Sequence, residues 1–195
     1  MAELYVGLVH YPIYNKRMHV IAGAVTNFDI HDISRTCRTY DVKRYYIIHP
    51  LDVQRDIIKK IIGYWQDGYG RTYNPDRSNA LDIVCWQADI EAAALDIEAQ
   101  TGKRPYIVTT DARIYPNTVS YGFMRKQLKE GDRPILLLFG TGFGIEAENT
   151  DIYGGKLDKE GYKSVAKQLM DTFGFEKVAI TLRSSISAND NDWAA

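Results

Sequence analysis

Residues suited to chemistry fall in three clusters. In the first, a continuous apolar run, Ile135-Leu136-Leu137-Leu138-Phe139, passes into glycines at 140, 142 and 144. Glycine permits positive φ and lets a ligand approach the main chain, so such a loop offers bare N–H and C=O groups to an adenine edge or a phosphate. It lacks the GK[ST] ending of a P-loop, and G-x-G-x-G so late in the chain is not the dinucleotide fingerprint. The same glycines also suit a tight turn, and the residues alone leave both readings open. In the second cluster, Asn27–Tyr40, Arg35 and Arg38 stand three apart on one helix face, where two guanidiniums can grip phosphates bidentately. Asp32 lies close enough to pair with either arginine on the surface instead. The third cluster is Thr109-Thr110-Asp111, whose hydroxyls can meet a ligand or cap the next turn.

Other chemistries find little support. His10, His19, His31 and His49 form no HxxxH or HExxH pattern, and Cys37 and Cys85 form no CxxC, so no metal site is expected. The two cysteines read as reduced thiols of a cytoplasmic protein.

The elements that must carry these clusters alternate strand with helix. Strands are expected at 4–10, 44–48, 83–86, 106–110, 135–139 and 178–182. Helices are expected at 30–40, 52–64, 90–101, 120–129 and 159–173. Asp29 or Asn27 is the expected cap of the first helix and Asp52 of the second, with Ile57, Ile58, Ile61 and Ile62 on one face. The Gly-Tyr-Gly run at 68–70, followed by Tyr73-Asn74-Pro75, reads as a turn cluster. The alternation implies an α/β fold with a parallel sheet and helices on both faces. Ligands of such sheets bind outside the carboxyl ends of the strands, so the residues to inspect are Tyr11–Asn27, Thr109–Arg113 and Gly140–Ile145.

Composition agrees with one globular domain of 195 residues: 45% hydrophobic and 25% charged, net charge −1. Residues 1–80 hold 11 Lys+Arg and 8 Asp+Glu, a balance of +3 that suits a phosphate-facing surface; the remainder holds 13 and 17, or −4. No apolar run reaches the ~20 residues of a membrane helix, and Met1-Ala2-Glu3-Leu4 does not read as a signal peptide.

Several stretches carry a resemblance. Asp29-Ile30-His31-Asp32-Ile33-Ser34-Arg35-Thr36 resembles the first motif of SPOUT RNA methyltransferases, with Asp29 where many members have asparagine. Val6–Ile13, Ala24–Asn27, Tyr64-Trp65 and Gly70–Arg77 resemble a small bacterial SPOUT group of S-adenosylmethionine-dependent RNA methyltransferases. Leu138–Gly144 is similar to that group's second knot loop.

The resemblance implies methyl transfer from S-adenosylmethionine to an RNA nucleotide of tRNA or rRNA, by a cytoplasmic homodimer with no metal. It implies Arg35 as the catalytic residue. It implies Thr109, Thr110, Gly140, Thr141, Gly142 and Gly144 around the cofactor, and Asn27, Arg38, Arg71 and Arg77 on the RNA. It stops near residue 145. The Asn-His-Leu-Ser-Val-type third loop is absent, which predicts an incomplete trefoil knot, an open cofactor pocket and impaired activity. Residues 146–195 are instead similar to an internal piece of ribokinase-like (PfkB) sugar kinases, without that family's DTxGAGD-type motif. The expected organisation is therefore a SPOUT-like domain over 1–145 and an atypical αβ segment over 146–195, joined as a chimera. The alternatives are a non-catalytic RNA-binding α/β fold and, behind it, a sugar-kinase fragment.

Overall fold

The computed structural model describes residues 1–111 and 118–146, together with main-chain strands at 177–180, 182–187 and 190–194. In chain order the elements are β1 (Leu4–Val9), β2 (Ile13–Tyr14), β3 (Val20–Ile21), α1 (Asn27–Thr39), β4 (Arg44–Ile48), α2 (Asp52–Gln66), α3 (Tyr69–Tyr73), α4 (Pro75–Leu81) and β5 (Val84–Gln87). They continue with α5 (Ile90–Thr101), β6 (Tyr106–Asp111), α6 (Tyr121–Glu130), β7 (Ile135–Gly140), β8 (Lys177–Ile180), β9 (Leu182–Ser187) and β10 (Asp190–Ala194). Six strands form one parallel sheet in the order β5-β4-β1-β7-β6-β8. The expected α/β fold is thus present, with its strands close to their expected bounds. The questions of the knot, of the 159–173 helix and of a junction after 145 fall on residues outside those described.

The sheet is buried on both faces, as its apolar strands require. On one face Val6, Leu8, Tyr45 and Ile47 pack against Ile30 and Cys37 of α1 and Ile58 of α2. On the other, Tyr5, Tyr46, Ile48, Ile107, Leu136 and Leu138 meet Ile90, Ala93, Ala94 and Ile97 of α5. Alanines let α5 lie close to the bulky strand side chains. Helix α6 covers Val108 and Ile135 through Met124 and Leu128. The tyrosines of β4 bury their rings and keep a polar partner: Tyr45 donates to the Asp29 carbonyl at 3.0 Å, and Tyr46 to Asp96 at 2.6 Å. The Tyr45 bond fixes the start of α1 against the sheet.

Local expectations fail at helix starts. Thr26, not Asn27 or Asp29, caps α1, and Asp29 closes a reciprocal capping box with it. Leu51 precedes α2 without a side-chain cap; Asp52 lies inside the first turn, where it favours the helix dipole and pairs with Arg55 at 2.7 Å. Ile57 is 41% exposed rather than part of the α2 stripe. The turn cluster at 68–75 contains two short helices, α3 and α4, the latter capped by Asn74 with Pro75 at its first position.

Candidate functional site

The strand order creates a crevice. From β1 the chain moves to β4 on one side, whereas the strand after β7 in sequence, β8, lies in the other direction beyond β6. The carboxyl ends of β1 and β7 therefore sit side by side where the connections diverge, the usual ligand position in such sheets.

The glycine run at the end of β7 fills much of this crevice with its own chain. Thr141 donates to the Val9 carbonyl through both its amide, at 3.2 Å, and its hydroxyl, at 3.0 Å. Phe143 donates to Tyr14, Tyr14 to Gly144 and Glu146 to Pro12, each at 2.9 Å. Gly142 has φ +61, and a Cβ there would stand 2.8 Å from the Tyr14 carbonyl oxygen; a Cβ on Gly140 would stand 2.9 Å from the Ile145 amide. The tight-turn reading thus explains Gly140 and Gly142. The amides of Thr141, Phe143 and Gly144 are spent within the chain, which leaves the Gly142 amide for a ligand.

At the end of β6 the two threonines part. Thr110 donates its hydroxyl to the Leu138 carbonyl at 3.0 Å and lines a cavity of about 480 Å³ with Val108, Leu137, Phe139, Tyr121 and Met124. Thr109 points to the opposite face, as strand alternation demands. It is buried, and its hydroxyl has no hydrogen-bond partner.

One buried group here escaped the sequence reading. His10, the residue after β1, is 2% exposed, and neither ring nitrogen makes a hydrogen bond. Its Nε2 lies 3.7 Å from Asp29, and its ring centroid 6.2 Å from that of His49. Burial lowers the pKa of His10 against the opposing pull of Asp29, so the ring is neutral near pH 7. His49 is also lowered by burial and is held by Gly23 and Leu51. A histidine directly after a strand end was the available signal.

Beside the crevice, α1 forms an exposed rim. Arg35 is 58% exposed and forms an ion pair with the exposed Asp32, the surface alternative to phosphate binding. Arg38 is exposed on the same helix, and Asn27 is exposed as its first residue. Helix α4 packs on α1 and carries Arg77, whose guanidinium lies 4.7 Å from the Trp65 ring centroid. Trp65 also receives the edge of His31 at 5.9 Å. Arg35 donates to the His31 carbonyl at 3.3 Å, so Arg35 and Arg77 flank the same residue; burial, and then the charges of Arg77 and Arg35, lower the pKa of His31. Arg71 is exposed on α3, touching the Gln66 carbonyl at 3.4 Å. The structure therefore groups Arg35 with Arg77. The glycine loop lies apart from them at the ends of β1 and β7. Cys37 is buried in the core with its thiol pushed up to about 11, which makes it inert.

An organic cofactor fits these residues. The orphaned Thr109 hydroxyl and the Gly142 amide are donors at adjacent strand ends, and on the other face of the sheet the cavity under Phe139 and Thr110 falls within the ~300–1,000 Å³ of small-molecule sites.

Comparison with known proteins identifies the family. The family described as SAM-dependent RNA methyltransferase matches residues 3–159. An uncharacterized protein of Aquifex aeolicus (strain VF5) is 41% identical over 143 residues, 73% of this chain and 70% of that protein. Two proteins named tRNA (guanine-N(1)-)-methyltransferase are similar. That of Oleidesulfovibrio alaskensis is 42% identical over 73% of this chain, and that of Nitratidesulfovibrio vulgaris is 41% identical over 75%. The chain spans only 33% and 34% of the length of these two, so the activity in their name belongs to much longer proteins. Among the described residues no helix is long and apolar enough to cross a membrane. With its glycine loop, arginine-bearing helix and 157 matched residues (159 − 3 + 1), the chain belongs to the S-adenosylmethionine-dependent RNA methyltransferase family.

Proposed function

We propose that this chain methylates tRNA from S-adenosylmethionine as a cytoplasmic SPOUT-type homodimer. One observation carries this reading. Tyr45 and His10 meet Asp29 at the start of α1, so the helix bearing Arg35 is fixed beside the crevice that receives the cofactor. The cofactor supplies an electrophilic methyl group on a sulfonium. The protein's own task is to hold donor and acceptor in line, which alone can lower the barrier by several kcal/mol. Thr109 and the 140–144 loop hold the cofactor, with the Thr109 hydroxyl and the Gly142 amide as donors, while Thr110 is bonded to the Leu138 carbonyl and lines the cavity on the opposite face. Arg35 leaves Asp32 for an RNA phosphate, and Asn27, Arg38, Arg71 and Arg77 extend that contact. The tRNA assignment follows the names of the two longer relatives; the guanine-N1 position is not carried over with it, since two thirds of those proteins lie outside this chain.

Transfer of tritiated methyl groups to unfractionated tRNA, beside rRNA, tests the reading. Label in tRNA that is lost in Arg35→Ala is the expected result. Label in neither RNA at millimolar S-adenosylmethionine, together with no saturable binding of the cofactor in the millimolar range beside an ATP control, overturns it.

A further inference from the structure

The end of α2, α3 and the start of α4 carry an exposed aromatic surface built on the half-buried Trp65. Tyr69 and Tyr73 are each 71% exposed, one turn apart on α3, with ring centroids 6.0 Å apart and planes inclined by 29°. Tyr64 is 53% exposed and stands edge-on to Trp65 at 5.2 Å. Arg77 caps the face of Trp65, and Arg71, two residues from each tyrosine, reaches back to the Gln66 carbonyl. Aromatic rings on a helix are normally placed to be buried. Here α3 buries only Gly70, whose missing Cβ would strike the Trp65 ring at 2.7 Å, and it turns both tyrosines outward. Glycine at 70 thus lets α3 sit down on Trp65 and fixes the direction of the tyrosine pair.

We propose that this surface is a stacking platform for unpaired RNA bases, next to the Arg35–Arg77 rim. The inference rests on the RNA methyltransferase reading and adds the class of RNA. Charge does not carry it: Arg71 and Arg77 are matched in the same segment by Asp67 and Asp76. A surface with open π-faces and almost no net charge recognises bases rather than phosphates, and bases present their faces only where the strand is unpaired. Continuity fixes the occupant, because α4 packs on α1: Arg35 donates to the His31 carbonyl at 3.3 Å, the His31 ring meets Trp65 at 5.9 Å, and Arg77 covers Trp65 at 4.7 Å. A strand whose phosphate lies on Arg35 therefore runs onto these rings.

Fluorescence anisotropy of the full chain tests this with two probes, a labelled oligouridylate and a fully paired RNA duplex of equal length. Wild type should prefer the single strand. Tyr69→Ala/Tyr73→Ala should lose about tenfold or more in affinity for it. Duplex binding and the salt dependence of binding should stay unchanged, since no phosphate contact is removed. Tyr69→Phe/Tyr73→Phe should bind as wild type, and Tyr69→Leu/Tyr73→Leu, which keeps apolar bulk without a π-face, should behave as the alanine pair. Single-strand affinity unchanged in the alanine variant overturns the platform while leaving the RNA reading intact. Retention in the leucine pair, or a loss that accompanies a fall in oligomeric mass by light scattering, overturns it in favour of a protein interface. Wild type binding neither probe removes the RNA reading itself.

Discussion

The crevice between β1 and β7 and the rim formed by α1, α3 and α4 lie side by side and are built on opposite rules. In the crevice, polar main-chain groups are spent on one another. Thr141 holds Val9 twice, Phe143 and Gly144 clasp Tyr14, and glycine at 142 takes a left-handed conformation with no room for a side chain. On the rim, Arg35 pairs with the exposed Asp32 and donates to the His31 carbonyl at 3.3 Å, and Tyr69 and Tyr73 stack on each other in the open. A main-chain network that ties three strand ends together transmits a change to the fold, whereas an exposed ion pair contributes about 0–1 kcal/mol. Crevice substitutions should therefore be read first in stability and cofactor binding, and rim substitutions in RNA affinity at nearly constant stability.

The largest expected effect concerns the crevice as a whole. The resemblance leads to the expectation that the third cofactor loop is missing after residue 145, where Glu146, Glu148 and Asp151 follow the glycine run. Loss of one wall of contacts worth about 3–4 kcal/mol weakens binding some 100- to 1,000-fold. Calorimetry should therefore give a dissociation constant for S-adenosylmethionine in the high micromolar range or weaker, with little turnover by the isolated chain. A low-micromolar value would mean that the residues after 146 rebuild the wall. Next in size is Gly142→Ala. A left-handed alanine costs roughly 1–2 kcal/mol, and forcing its Cβ against the Tyr14 carbonyl adds about 1–3 kcal/mol of overpacking. Urea unfolding should show a loss of about 2–4 kcal/mol; an unchanged midpoint would show that the loop is looser than its hydrogen bonds indicate.

These differences also explain what was legible in the sequence. The strands were, because a sheet buried on both faces needs continuous apolar runs such as Ile135–Phe139 and Arg44–Ile48. The three chemical clusters were placed correctly at strand ends and on α1, since that follows from alternation alone. What the glycines do was not legible. Whether an amide faces a ligand or Tyr14 depends on a partner 129 residues away in sequence (143 − 14), which spacing cannot reveal. Thr109 and Thr110 were grouped as one site, although strand alternation already sends them to opposite faces. Helices α3 and α4 were hidden by glycine and proline, which ordinarily mark turns. Here Asn74 and Pro75 begin a helix instead. His10 was missed because its interest lies in having no hydrogen-bond partner, a property only of the packed chain.

Arg35→Ala sharpens the rim side of the comparison. Its ion pair with Asp32 is exposed, so the thermal midpoint should change by the equivalent of less than about 0.5 kcal/mol. RNA binding should weaken about tenfold, and the slope of log affinity against log salt should fall by about one. A large loss of stability would place Arg35 in the fold rather than on the RNA.

The smallest effect is a pH dependence that the crevice and the rim share unequally. Burial lowers the pKa of His10, His31 and His49, so each is neutral in the fold and takes up a proton more readily once unfolded. Between the lowered folded values and the unfolded value of about 6.5, the unfolded chain binds more protons, so stability must rise with pH there. Stability is complete above that window and declines as the pH falls through it, by at most about 1.4 kcal/mol per group per pH unit. His10 and His31 differ in what opposes their protonation. Asp29 lies 3.7 Å from His10 and partly offsets its burial, whereas Arg77 and Arg35 add to the burial of His31. Asp29→Asn should therefore steepen the decline below pH 6.5, as the only nearby carboxylate acting on His10 is lost. Arg77→Gln should flatten the decline by relieving His31. Thermal midpoints of both variants across pH 5 to 7.5 separate the two. Parallel profiles would show that neither charge reaches its histidine and that burial alone sets the titration.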